Sequence, residues 1–196
     1  MVSKISIRNW KDKKKVKKLK SENKKRKTEK NRKTEKNPKY SNKRFAKIKE
    51  EIEKEKKMKA FQIVKRLERV KNFLGVFSSD NLPIIKSSPC LLVVNIDGEN
   101  LPGSHWIGVR ISTKQIEIYD SLCLKSYPQP LLDLFNSKPL KRLPQIQPAE
   151  SYLCGLYACF FILSRDIYSL QHLCSFFSKN LTENDLILYQ LLNELW

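Results

Sequence analysis

The stretch Gln147-Pro-Ala-Glu-Ser-Tyr-Leu-Cys154-Gly-Leu-Tyr-Ala-Cys-Phe-Phe-Ile-Leu163 is almost wholly apolar from Leu153 onward and meets no charge until Arg165. Such a run, entered through Pro148 and a Glu/Ser pair, is expected to form a helix buried on all sides. Cys154 falls in its first turn, where free backbone N–H groups and the helix dipole favour a thiolate. Gly155 leaves the backbone open to close approach. Gln147, seven residues before Cys154, is placed to reach over the same sulfur. This is the pattern of a cysteine nucleophile with an oxyanion donor, and Gln145 stands two residues away as the alternative donor.

Free cysteine is also among the most buried residue types. Any one of Cys90, Cys123, Cys154, Cys159 and Cys174, taken singly, is more often a packing residue. Its helix-start position singles out Cys154, together with the histidine discussed below. The five cysteines show no CxxC or CxxH spacing, which argues against a disulfide framework or a structural zinc site and for a reducing compartment. No apolar run reaches transmembrane length and no signal-peptide core opens the chain, so a soluble, intracellular protein is expected.

At 196 residues, the chain has room for one domain of ordinary size plus a tail. The charge locates the boundary. Residues 1–60 hold 26 Lys/Arg against 8 Asp/Glu, a net of +18, whereas residues 61–196 hold 13 against 12, a net of +1. Within the basic part, Arg26-Lys-Thr-Glu-Lys-Asn31 repeats at once as Arg32-Lys-Thr-Glu-Lys-Asn37. Residues 1–57 are therefore expected as a Lys/Arg-rich tail, disordered at first (through about residue 43) and then helical, ahead of a domain over 58–196. So basic a tail favours non-specific nucleic-acid binding over a merely solubilising role.

From Arg44 the pattern turns helical, with Met58, Phe61, Val64, Leu67, Val70 and Leu74 as its apolar stripe and Phe73-Leu-Gly-Val-Phe77 as its end. Cys90 to Ile96 reads as a buried strand. Trp106 to Ile111 and Ile116 to Asp120, joined by Ser112-Thr-Lys-Gln115, read as a β-hairpin. A symmetric loop pairs Ile111 with Ile116 and so sets Asp120 opposite Ile107. His105, two residues from Ile107, is then a diagonal neighbour of Asp120, about 7–8 Å away at Cα and within side-chain reach. The other histidine, His172, lies in an apolar segment and reads as packed or surface. Pro128 to Phe135 and Leu170 to Phe177 are expected helices, and Leu140 to Gln147 an extended lead-in. A last helix is opened by Thr182-Glu-Asn-Asp185, spaced as a capping box, and runs to Trp196.

In chain order, Gly103-Ser-His-Trp106, the hairpin ending at Asp120, Gln147 and Cys154-Gly-Leu-Tyr157 resemble the adenovirus-type cysteine proteases (adenains), most of all the processing proteases of Polinton/Maverick elements and related viruses. Phe73 to Phe77 and Leu91 to His105 look like that family's N-terminal segments, so the likeness covers roughly residues 58–160. The resemblance implies a papain-like α+β core: a central, mostly antiparallel sheet with a buried nucleophile helix. It assigns His105 as general base, Asp120 as orienting acid, Gln147 as oxyanion donor and Cys154 as nucleophile.

It further implies a cysteine endopeptidase that processes viral or transposon capsid and core precursors at sites flanked by small residues such as glycine. That work would be done in the virion or host nucleus, with no cofactor or metal, and with DNA or a bound peptide as activator. Adenovirus enzymes carry Glu where this chain has Asp120. No cysteine stands where one would bond an activating peptide, so disulfide activation is not expected. Two rivals remain: a protease that deconjugates ubiquitin-like modifiers, and a non-catalytic DNA-binding packaging protein on the same fold.

Overall fold

Short β-branched and aromatic runs supply the strands, and the apolar run after Leu153 supplies the helix they pack against. The computed structural model describes Glu50, Ile52 and residues 57–193, all within one compact unit, Lys47–Trp196. The tandem hexamer, nearly all of the basic tail and the last residues of the expected final helix lie outside the described residues.

The elements are helix α1 (Ala60–Leu67), strands β1 (Phe73–Ser78), β2 (Cys90–Asn95), β3 (Trp106–Ile111) and β4 (Ile116–Tyr119), helix α2 (Gln129–Asn136), strand β5 (Leu140–Arg142) and helices α3 (Cys154–Ser164), α4 (Leu170–Cys174) and α5 (Asn184–Asn193). A 3-10 turn, Leu181–Glu183, leads into α5. The strands form one sheet in chain order. The expected antiparallel pairing holds for β2, β3 and β4, and the edge strands β1 and β5 each add in parallel. The result is a mixed α+β fold around a central sheet.

All six residues of β2 are buried, as its unbroken apolar run requires. The hairpin register is the one the symmetric loop dictates: Ile111 pairs with Ile116, Arg110 with Glu117, Val109 with Ile118 and Gly108 with Tyr119. One face of the sheet, carrying Leu92, Val94, Ile107, Val109 and Ile118, packs on α2 through Leu131 and Phe135. The other face, carrying Leu91, Val93, Trp106 and Tyr119, packs on α1 and α3. A Cβ on Gly108 would stand 2.6 Å from the Phe161 ring, so glycine is what lets α3 lie this close to β3. Of the eleven residues of α3, only Leu163 is not buried.

Three local expectations are corrected. The long amphipathic helix ends at Leu67, and Asn72, in left-handed conformation at φ 64°, turns the chain into β1, so Phe73–Ser78 is a strand. Ile63 and Leu67 form the buried face of α1, while Phe61 and Val64, expected to dock, are exposed. There is no capping box at Thr182. Its hydroxyl bonds Asn180, and Asp185 reaches inward to the Tyr157 hydroxyl at 3.0 Å.

Candidate active site

His105 immediately precedes β3 and Asp120 immediately follows β4, so the antiparallel ribbon carries both at the same end. His105 Nε2 and Asp120 Oδ1 are 2.7 Å apart, and both side chains are buried. The diagonal neighbours anticipated from the register therefore meet. Strand alternation alone would aim them at the α2 face of the sheet. Both lie past the paired ladder, where the chain is free to turn toward the start of α3.

Asp120 is held by more than the imidazole. Oδ1 also accepts from the backbone N–H groups of Leu122 (3.0 Å) and Cys123 (3.1 Å). Oδ2 accepts from the Leu124 N–H and the Tyr127 hydroxyl, each at 2.7 Å. Cys123, at φ 54°, provides the left-handed turn that wraps the chain around the carboxylate. Burial alone would raise the Asp120 pKa; the hydrogen bonds from His105 and Tyr127 outweigh it and hold the group below the usual carboxylate range. Tyr127 in turn accepts from Arg142 Nη2 at 3.0 Å, and the guanidinium lies 5.0 Å above its ring. Arg142 also donates to the Leu124 carbonyl.

With Nε2 committed to Asp120, His105 has Nδ1 left for the sulfur. Nδ1 makes no formed hydrogen bond, yet Cys154 is close enough to act on the ring. Burial pushes the imidazole pKa down, but Asp120 and then the Cys154 sulfur raise it more strongly, to about 9. Cys154 is the first residue of α3 and is buried, as placed from sequence. Against Gly155 pack Met58 and Trp106; a Cβ there would stand 3.0 Å from the Met58 Cβ and 3.3 Å from Trp106 Cδ1. Trp106 donates its indole N–H to the Met58 carbonyl at 2.9 Å, so its ring is part of the core.

Gln147 is fully buried on the loop that runs into α3. Its Oε1 accepts from Ser121 Oγ at 2.6 Å, and its Nε2 donates to the Ser151 carbonyl at 2.7 Å. The alternative, Gln145, is exposed and spends its Nε2 on the Gln147 carbonyl at 3.0 Å. The Gln147 loop is braced by α5: Asn184, also fully buried, donates to the Ile146 carbonyl at 2.7 Å.

Sequence reasoning missed Ser121, Tyr127, Arg142 and Asn184. Ser121 could have been suspected from its place next to Asp120; the others are polar residues in unremarkable segments. His172 is apart from this cluster, stacked on Tyr168 with ring centroids 5.0 Å apart. All five cysteines are free. Among the described residues, no group of His, Cys, Asp and Glu could hold a metal ion. A cleft of about 570 Å³, lined by Lys57, Met58, Asn95, Leu101, Gly103 and Trp106 among others, adjoins the start of α3 through Met58 and Trp106, while none of His105, Asp120, Gln147 and Cys154 lines it.

No family model and no curated protein matches the chain. Among solved structures, one that it resembles is described as SUMO protease Ulp1 with the catalytic cysteine oxidized to a sulfinic acid. The identity is 17%, the match covers 69% of this chain and 75% of that one, and the TM-score is 0.36. The likeness is coarse.

Proposed function

We propose that the chain is a cysteine endopeptidase with Cys154 as nucleophile, His105 as its proton acceptor and donor, Asp120 as the group that orients the imidazole, and Gln147 as oxyanion donor. The observation that carries this reading is the His105 ring, tied through Nε2 to a caged carboxylate and left with Nδ1 for a sulfur at a helix start. An imidazole whose pKa is raised to about 9 is protonated at neutral pH, which suits a thiolate–imidazolium pair. The sulfur attacks the substrate carbonyl carbon, and the developing oxyanion is met by the Gln147 carboxamide and the backbone N–H at the start of α3. As the C–N bond breaks, the imidazolium proton passes to the leaving amine. His105 then takes a proton from the water that attacks the thioester, and expulsion of the thiolate releases the acid and restores the thiolate–imidazolium pair. The polypeptide would lie in the cleft beside Gly103 and Trp106.

The substrates suggested by the adenain-like motifs are viral or transposon capsid and core precursors with small residues at the cleavage site. The basic tail would supply a non-specific hold on nucleic acid, with DNA as an activator. Incubating full-length protein with the precursor encoded beside it, with and without DNA, tests this. Cleavage is expected, and Cys154→Ala and Cys154→Ser should abolish it while leaving thermal unfolding unchanged. Cleavage persisting in either variant overturns the nucleophile assignment. Processing of a diglycine-tailed ubiquitin-like modifier in place of the precursor moves the substrate class to deconjugation.

A further inference from the structure

We propose that Ser121 is a positioning residue for the oxyanion donor: the Ser151 carbonyl sets which end of the Gln147 carboxamide is the NH2, and the Ser121 hydroxyl pins the other end so that the amide is held in place. This rests on the reading of Gln147 as that donor. A carboxamide has an accepting end and a donating end of nearly equal shape, and a flip of 180° exchanges them. Only the donating end is of use to an oxyanion.

The hydrogen bonds around Gln147 select one orientation. The Ser151 carbonyl can only accept, so the group facing it at 2.7 Å is the NH2. Ser121 Oγ, 2.6 Å from the other end, then donates to Oε1. Flipping the amide would set its oxygen against the Ser151 oxygen, two acceptors facing each other in a site where both Ser121 and Gln147 are buried. In the observed orientation one N–H goes to Ser151 and the second has no protein partner among the described residues; on the proposed reading that second N–H is the one that serves the oxyanion.

Ser121 holds the segment as well as the side chain. Its carbonyl accepts from the backbone N–H groups of Ile146 and Gln147, each at 2.9 Å. That part survives any substitution of the side chain, so the hydroxyl can be removed without unfastening the loop. Because Ser121 follows Asp120 directly, one turn after β4 serves two ends of the chemistry. Asp120 orients the imidazole, and Ser121 holds the amide in place.

The test compares full-length wild type with Ser121→Ala, Ser121→Thr, Gln147→Ala and the Ser121→Ala/Gln147→Ala double variant. Turnover is read on a fluorogenic glycyl-glycyl anilide peptide. The rate of Cys154 alkylation by iodoacetamide, followed on its own peptide by mass spectrometry, is read in parallel. Alkylation forms no oxyanion, so it reports the thiolate–imidazole pair alone. Ser121→Ala should lower kcat about 10- to 100-fold with KM within about twofold, short of the roughly 10²–10³-fold expected of Gln147→Ala. Ser121→Thr, which restores the hydroxyl, should recover activity to within about fivefold. The double variant should be no slower than Gln147→Ala, because two groups acting through one hydrogen bond are not additive. Alkylation should be unchanged throughout.

Wild-type turnover in Ser121→Ala beside a slow Gln147→Ala sinks the proposal and spares the oxyanion reading. Wild-type turnover in Gln147→Ala sinks the oxyanion reading itself. A fall in alkylation or in melting temperature that matches the loss of turnover in Ser121→Ala would make Ser121 structural.

Discussion

Asp120 accepts from the His105 ring, from three backbone N–H groups and from the Tyr127 hydroxyl, which itself accepts from Arg142. Each donor that stabilises the carboxylate also makes it a weaker acceptor for the imidazole. Tyr127, supported by a guanidinium, therefore limits how far Asp120 raises the His105 pKa. Tyr127→Phe removes one donor and keeps the ring. The carboxylate becomes more basic, it binds the imidazolium more strongly, and the His105 pKa rises. Cys154, which also acts on the ring, is unchanged. Since His105 loses its proton near pH 9, the alkaline limb of kcat/KM should lie there in wild type and move upward in Tyr127→Phe. Stability should fall by about 1–3 kcal/mol for a hydrogen bond to a charged group. A limb that stays in place while activity drops at every pH would give Tyr127 a packing role only. His105→Ala should cost about 10²–10⁴-fold in kcat/KM, the usual worth of a positioned acid–base. Asp120→Asn should cost less, because an amide still accepts from the ring.

Helix α3 is fastened at both ends. Its start is at the cysteine cluster; just past its end, Arg165 clamps Glu117 of β4 with Nε to Oε2 and Nη2 to Oε1, the latter at 2.7 Å. Arg165 also donates to the Tyr168 carbonyl at 2.8 Å, and Gln115 donates to Glu117 at 2.6 Å. Glu117 is 1% exposed, and burial alone would raise its pKa, but Arg165 overrides that and lowers it. A lowered carboxylate contributes stability that is present above its unfolded pKa of about 4.5 and is lost as pH falls through the folded value. Arg165→Ala should thus cost up to about 3 kcal/mol at neutral pH, by leaving the buried Glu117 charge with only the longer Arg110 contact, at 4.0 Å, and Gln115. The deficit should shrink as pH falls below 4.5 and through the lower folded value, beneath which Glu117 is neutral in both proteins. Urea titrations at pH 7 and at about pH 2.5 read this, and an equal deficit at both would rule out the ionic account.

Elements of this kind differ in how plainly the sequence announces them. The hairpin was legible because a four-residue loop and a two-residue period leave one register, and with it came His105 beside Asp120. Helix α3 was legible because eleven residues with almost no polar side chain can only be buried. The docking face of α1 was not. Met58 and Leu67 of the expected stripe are buried, but packing against β1 and α3 turns Ile63 inward in place of Phe61 and Val64. The Ser121, Tyr127 and Arg142 contacts were hidden for a similar reason. They depend on how an irregular segment folds over the end of β4, which no periodicity records.

At the scale of the whole chain the outstanding property is the separation of charge from chemistry. Residues 1–43 hold 19 Lys/Arg against 4 Asp/Glu, so deleting them removes +15 of the net +19 and leaves +4 on residues 44–196. Binding that runs through those lysines is counterion release, with log Kobs falling against log[salt] at about −0.9 per phosphate neutralised. Duplex DNA titrated at several salt concentrations should therefore give a steep slope with the full chain and a shallow one with the 44–196 fragment. Shuffling the DNA sequence should change neither, because lysines on phosphates carry no base readout. The residues around Cys154 all lie within 44–196, so iodoacetamide should alkylate Cys154 equally fast in both proteins without DNA. Any stimulation of cleavage by DNA should vanish with the deletion. If the fragment kept the full slope, the DNA contact would belong to the described unit, where Lys65, Arg69 and Lys71 on and just after α1 would be the first to replace.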